Sequence, residues 1–167
     1  MTDLLVYFRA MKAASLHELK QELIHLPPKE LLELCLRLGR FKKENKELLT
    51  YLIFEAHDEK SFIENVKAHI DEEFEAIPKD NNLYLIKKSL RKILRTITKY
   101  IRFTGSKMVE VQLLLYFCKK IKESGIKIHK TVALTNLYES QLKKIRKALP
   151  SLHEDLQYDY TKELEGL

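Results

Sequence analysis

The chain has 167 residues, enough for one domain with a sizeable core and too few for two comfortable ones. Its 45% apolar and 32% charged residues exclude global disorder, and its four Gly and four Pro leave too little turn material for a β-sandwich, a Rossmann unit or a phosphate loop. The formal net charge is +6, and the weight of Leu, Lys and Glu is that of a helical protein.

The segment MTDLLVYFRAMKAA begins with an acid and holds only a short apolar run, unlike a signal peptide. Met11 is an alternative translation start to Met1, which would make residues 1–10 a frayed extension. Ser15-Leu16-His17-Glu18 reads as a capping box. The helix it opens carries Leu16, Leu19, Leu23 and Leu26 and stops at Pro27-Pro28. Pro28 suits the first turn of a second helix, which runs through Leu31, Leu32, Cys35 and Leu38 to a Gly39 stop and pairs with the first as a hairpin. A third helix is expected over 43–57. Asp58 caps a fourth, with Phe62, Ile63, Val66, Ile70, Phe74 and Ile77 at helical spacing, and residues 78–82 break the chain. A fifth helix, LYLIKKSLRKILRTITKYIRF, spans 83–103. The sixth, 107–124, is apolar nearly all round in VEVQLLLYFC, which places it at the centre of the core, with Gly125 as a left-handed cap. A seventh spans 131–149. Ser151-Leu152-His153-Glu154 repeats the capping box for a last helix over 151–165. The residues after the two SLHE copies do not correspond, so the tetrapeptide marks no internal repeat.

Charge is unevenly distributed. Residues 1–80 have a net charge of −4, residues 81–148 of +14 and residues 149–167 of −4. On the fifth helix, stepping about 100° per residue puts Lys87, Lys88, Arg91, Lys92, Arg95, Lys99 and Arg102 within an arc of roughly 140°. Ile86, Leu90, Ile93, Leu94, Ile97, Tyr100 and Ile101 take the opposite side. No acid spaces these cations, although Glu–Lys pairs one turn apart would stabilise the helix. Something negative is therefore expected to offset their repulsion. The sources are carboxylates of the protein itself (Asp71, Glu72, Glu73 and Glu75, or Glu154, Asp155, Asp159, Glu163 and Glu165) or of a partner, a nucleic-acid backbone, or an anionic membrane surface. The aliphatic opposite face is needed by the core, which argues against the membrane. Only Tyr84 lies squarely on the basic side, so stacking on single-stranded bases has little support.

The sequence shows no catalytic signature. His-Glu-x-x-His, Cys-x-x-Cys, Gly-x-Ser-x-Gly and phosphate-loop patterns are absent. Glu22-x-x-His25 is a single match to a motif that di-iron bundles need twice. The acids beside His57 and His153 are explained by capping, and His69 with Glu72 and Glu73 lies on an amphipathic helix with ample surface. Cys35 and Cys118 sit in apolar helical runs and are expected to be reduced and buried. No apolar run approaches the roughly 18 residues of a membrane span. These features give a cytoplasmic location by default, no cofactor, no metal and no small-molecule site.

Two resemblances bear on the reading. LHELKQELIHLPPKELLELCLRL resembles the helix–extended–helix DNA-binding module known as the SAP motif, through Leu16, Leu19, Lys20 and Leu23 in its first helix and Leu31, Leu32 and Leu36 in its second. It departs from that motif where Pro27-Pro28 replace a glycine-containing basic connector. Over most of the chain, the series SLHELKQEL, LPPKELLELCLRLGRFKKENKELLTYLIFEA, YLIKKSLRKILR, LLYFCKKIKE and LHEDLQYDY resembles an uncharacterised family of small all-helical bacterial proteins. That resemblance implies the fold class and no activity. The expectation is a single all-α domain of about eight helices, with antiparallel hairpins forming a bundle or short α-superhelix. It comprises an acidic half (15–77), a break (78–82), a basic half (83–149) and an acidic last helix (151–165). Its expected function is non-catalytic: an intracellular interaction protein whose basic face meets an acidic surface on a protein partner, on a second copy or on its own termini. Nucleic-acid binding through the same face is the alternative.

Overall fold

The computed structural model describes residues 12–78 and 82–167, and the possible extension at 1–10 and start at Met1 or Met11 lie outside them. The chain is all-α, with eight α-helices and no strand among the described residues. It divides into two compact units, one up to Leu49 and one from Thr50 to Leu167. The break expected at 78–82 lies inside the second unit, and residues 79–81 are not described.

In the first unit, α1 (Leu16–Ile24) opens as expected from its capping box: the Ser15 hydroxyl accepts from the Glu18 amide, and the Glu18 carboxylate accepts from the Ser15 amide. Pro27 is the extended N-cap of α2 (Pro28–Phe41). Gly39 does not stop α2. The helix continues to Phe41, with Gly39 facing Leu49, whose Cδ1 lies 3.1 Å from where a β-carbon would stand. The chain then enters α3 (Lys43–Thr50), where Asn45 donates to the Leu38 carbonyl at 2.9 Å. None of residues 12–49 is buried. Cys35, expected in a core, is exposed, because its run of leucines has no covering layer in this unit.

The third helix was expected to continue to residue 57, but Tyr51–Glu55 form a π-helical turn. The wider turn points Tyr51 inward while Leu52, Ile53 and Phe54 stay exposed. Tyr51 packs on Phe62 with ring centroids 4.7 Å apart, and Phe62, Tyr100 and Phe103 complete an aromatic cluster.

The core of the second unit is built on α6 (Lys107–Glu123), and α4 (Glu59–Glu75), α5 (Leu83–Thr104), α7 (Val132–Ala148) and α8 (Glu154–Glu165) pack around it. Val109, Val111, Leu113, Leu114, Leu115, Phe117, Cys118 and Ile121 are all buried, so α6 is covered on most of its circumference, leaving a strip at Gln112, Tyr116 and Lys119. Gly105 (φ 63°) ends α5 and Gly125 (φ 68°) follows α6 in the left-handed conformation that glycine adopts without strain. Asn82 caps α5, Ser106 caps α6 and Thr131 caps α7.

The second SLHE is not a capping box. Pro150 draws Leu149–Ser151 into a 3₁₀ turn, and the Ser151 hydroxyl donates backward to the Ala148 carbonyl at 2.6 Å. His153 becomes the N-cap of α8 instead, its Nδ1 accepting from the Asp155 amide at 3.4 Å. α8 is fixed to α6 by the buried Tyr160, whose hydroxyl accepts a hydrogen bond from Gln112.

Candidate functional site

Helix α5 presents the basic face. Ile86, Leu90, Ile93 and Ile97 are buried on one side, which turns the cations outward. Lys88, Arg91, Lys92, Arg95 and Arg102 are exposed, while Lys87 and Lys99 are half-buried along their stems. From Lys88 to Arg102 the row is about 21 Å long at 1.5 Å per residue.

Most of this charge is unanswered within the described residues. Lys92 is bound by Glu73 of α4, with Nζ to Oε1 at 2.8 Å. Lys87 lies over the Tyr84 ring at 5.9 Å, and Lys99 over Tyr100 at 4.9 Å and Phe103 at 6.0 Å. Lys88, Arg91, Arg95 and Arg102 have no ion pair with any described residue.

Helical geometry explains why the nearest acids do not cover the face. Asp71 and Glu73 are two residues apart on α4, so they point about 160° away from each other. Glu73 reaches α5, whereas Asp71 turns to α6. There the Tyr116 hydroxyl donates to both Asp71 oxygens at 2.7 Å, and Lys120 Nζ lies 2.9 Å from Oδ1. Partial burial pushes the Asp71 carboxyl up, but the hydrogen bonds from Lys120 and Tyr116 outweigh it and hold it below its usual value. Burial, with Asp71 beside it, raises Tyr116, so its hydroxyl stays protonated. This cluster ties α4 to α6 with every partner satisfied and offers no nucleophile. The acids of α8 pair with no α5 cation: Asp155 sits 3.4 Å from His153, and Glu154, Asp159, Glu163 and Glu165 are exposed.

At the C-terminal end of the row, the face gains residues that the sequence did not assign to it. Arg102 lines an open recess of about 410 Å³ with Gly105, Ser106 and Lys107 of the α5–α6 turn and Lys144 of α7. Lys107 is paired with Glu110 at 2.6 Å, while among the described residues the Lys144 ammonium hydrogen-bonds only to Gln141, at 3.2 Å. The charge total over 81–148 already counted Lys144, but only the packing of α7 beside α6 reveals that it lines the same recess as Arg102.

The residues weighed for other chemistry do not assemble. No group of three or more His, Cys, Asp or Glu among the described residues could hold a metal ion. His69 is 3.6 Å from Glu72, and His25 is the C-cap residue of α1. Burial, with a smaller effect from Glu139, pushes the Cys118 thiol up to about 12, so it carries no thiolate at neutral pH. Two further recesses, of about 690 and 800 Å³, flank the 125–130 segment, and neither is lined by His25, His69 or His153. No helix of the described residues is long and apolar enough to cross a membrane. No family model, curated protein or solved structure matches the chain.

Proposed function

We propose that the chain is a non-catalytic intracellular interaction protein that docks an acidic protein surface on the exposed face of α5. The observation that carries this reading is the row Lys88, Arg91, Arg95 and Arg102, presented by a rigidly packed helix with no carboxylate partner among the described residues. Glu73 supports a protein partner over a nucleic acid. It lies within the row at Lys92, where it would repel a phosphate track, whereas a protein surface of mixed charge accommodates it.

Nucleic-acid binding is the second reading, favoured by the regular one-turn spacing of the same cations and by the adjoining Arg102–Lys144 recess. Fluorescence anisotropy separates the two, with labelled polyglutamate and labelled random-sequence DNA and RNA as probes at low and physiological salt. The expected result is polyglutamate binding that weakens roughly ten-fold or more in a Lys88→Glu, Arg91→Glu, Arg95→Glu, Lys99→Glu variant of unchanged helicity. Tighter and steeply salt-dependent binding of DNA or RNA, lost in that variant, would put the second reading first. Failure of every probe at low salt would reject both.

A further inference from the structure

The larger of the two recesses beside the 125–130 segment, about 800 Å³, is layered by polarity. Ile121 of α6 and Tyr138 and Leu142 of α7 line it and are buried, and Ile126 and Ile128 line it and are half-buried. Lys122, Lys127, His129, Lys130 and Glu139 are exposed around its mouth. Its wall is fastened on two sides. The Thr135 hydroxyl of α7 donates to the Ile128 carbonyl at 3.1 Å, and Lys122 Nζ donates to the Gly166 carbonyl at 2.6 Å. A held, mostly apolar hollow of this size with a few polar groups converging on it is the form that small-molecule sites take.

Two features of the recess have no role in the fold. Tyr138 is only 5% exposed, yet its hydroxyl makes no hydrogen bond with any described residue, whereas those of Tyr116 and Tyr160 are both bonded. It is not shut in, so it opens on the recess that Tyr138 lines. Burial, with smaller effects from Cys118 and Glu139, raises Tyr138, so the hydroxyl stays protonated and available as a donor. A molecule that displaces water from this floor must bring an acceptor or leave the donor unpaired at a cost. At the mouth, Lys127 and Lys130 form no ion pair with any described residue, although Glu139 shares the rim. Two lysines draw one negative charge, and Glu139 opposes a second, which favours a carboxylate over a phosphate.

We infer that this recess binds a small monocarboxylic acid with an apolar body and a hydrogen-bond acceptor at its far end, the carboxylate held by Lys127 and Lys130 and the acceptor by Tyr138 Oη. Lys127 and Lys130 also border the smaller recess, but Tyr138 borders only the larger one, so the tyrosine decides which is occupied. No small-molecule site was expected from the sequence, because a tyrosine on α7 and two lysines ahead of that helix make no motif until the chain folds. The site uses no cation of the α5 row, so either proposal can fail alone.

Titration of the full chain with para-acetylbenzoate, followed through amide NMR shifts, tests it. This rigid acid pays little entropy on binding and carries a carbonyl opposite its carboxylate. The expected result is saturable shifts centred on residues 121–142. The matched acid para-isopropylbenzoate has the same shape without the carbonyl oxygen, and the preference for the acetyl compound is expected to fall about five-fold in Tyr138→Phe. Lys127→Ala with Lys130→Ala is expected to weaken both acids about three- to ten-fold and to leave the uncharged para-isopropylacetophenone unaffected. The α5 charge variant is expected to bind all three compounds as the parent does. Absence of saturable shifts with either acid at about 10 mM would overturn the inference. A preference for the acetyl compound that is absent, or is unchanged in Tyr138→Phe, would overturn it as well. Shifts that need the two lysines but ignore Tyr138 would put the acid in the neighbouring recess and reject this one.

Discussion

Helices α2 and α5 have comparably segregated apolar and charged residues, and the fold treats them differently. The apolar side of α5 is closed over by α4 and α6, and Leu90 and Ile97 retain no accessible surface. The apolar side of α2 keeps Leu34, Leu38 and Phe41 exposed. Amphipathic spacing therefore identifies the face that seeks cover without saying whether the same chain supplies it. In the second unit the cover comes from α6, a helix whose middle is apolar nearly all round, and nothing of that kind exists between residues 12 and 49.

The largest effects that can test this contrast lie in α6. Phe117→Ala removes a ring with no accessible surface that packs against Phe74 at 5.8 Å, and is expected to destabilise the second unit by about 3–5 kcal/mol. Leu38→Ala on α2 is expected to shift the same urea transition by less than about 0.5 kcal/mol. Equal shifts would show that the two units melt as one and would dissolve the comparison.

A smaller effect comes from the tie between α4 and α6. Asp71→Ala leaves the Tyr116 hydroxyl and Lys120 without their shared acceptor, with an expected loss of about 1–2 kcal/mol, limited because Asp71 remains partly exposed. The tie also predicts a pH dependence. The folded Asp71 carboxyl titrates below its ordinary value of 3.8, so its contribution is complete above about pH 4 and is lost as pH falls through the lower folded value. The hydrogen bond to Asp71 raises Lys120 above 10.5, so the same contribution is also lost as pH rises through that raised value. Urea titrations of the parent and of Asp71→Asn at pH 3 and pH 7 check the acid side: the difference between the two proteins is expected to narrow at pH 3.

What the sequence made legible follows from which features are local. The helix count, the caps Ser15 and Asp58, the left-handed glycine after α6, and the central place of α6 each depend on a few neighbouring residues or on one helix's own periodicity. The outward direction of the α5 cations was legible for the same reason. Three things were not. Whether Cys35 is covered depends on a layer that its helix cannot encode. Asp71 and Glu73 belong to one acidic run, and their division between α6 and α5 depends on how α4 is rotated about its axis. That Arg102 and Lys144 line one recess depends on the placement of α7, with Lys144 lying 42 residues downstream of Arg102.

The two SLHE tetrapeptides give a finer test of local against tertiary control. Ser15 bonds forward to the Glu18 amide as an N-cap, whereas Ser151, held by Pro150 in a 3₁₀ turn, bonds backward to Ala148. Ser15→Ala is expected to destabilise α1 by about 1 kcal/mol, read as faster hydrogen exchange at amides 19–24. Ser151→Ala is expected to lose about 0.5–1 kcal/mol and to leave exchange in α8 unchanged, because α8 is anchored by Tyr160 and capped by His153. Matching exchange responses in the two helices would mean that the tetrapeptide governs both.

The smallest effect probes how loosely the first unit is held. A glycine inside a helix costs about 0.5–1 kcal/mol relative to alanine, and Gly39 lies two residues before the end of α2. A β-carbon there would stand 3.1 Å from Leu49 Cδ1, closer than ordinary contact by a few tenths of an ångström. In a packed core that overlap would cancel the gain in helix propensity. Leu49 is only half-buried and the obstacle is the free end of a flexible side chain, so it can swing aside. Gly39→Ala is therefore expected to slow amide exchange across α2 by an amount corresponding to roughly 0.5 kcal/mol of added stability. Faster exchange would mean that Leu49 has no room to move, and that the first unit is packed more tightly around Gly39 than its exposed leucines indicate.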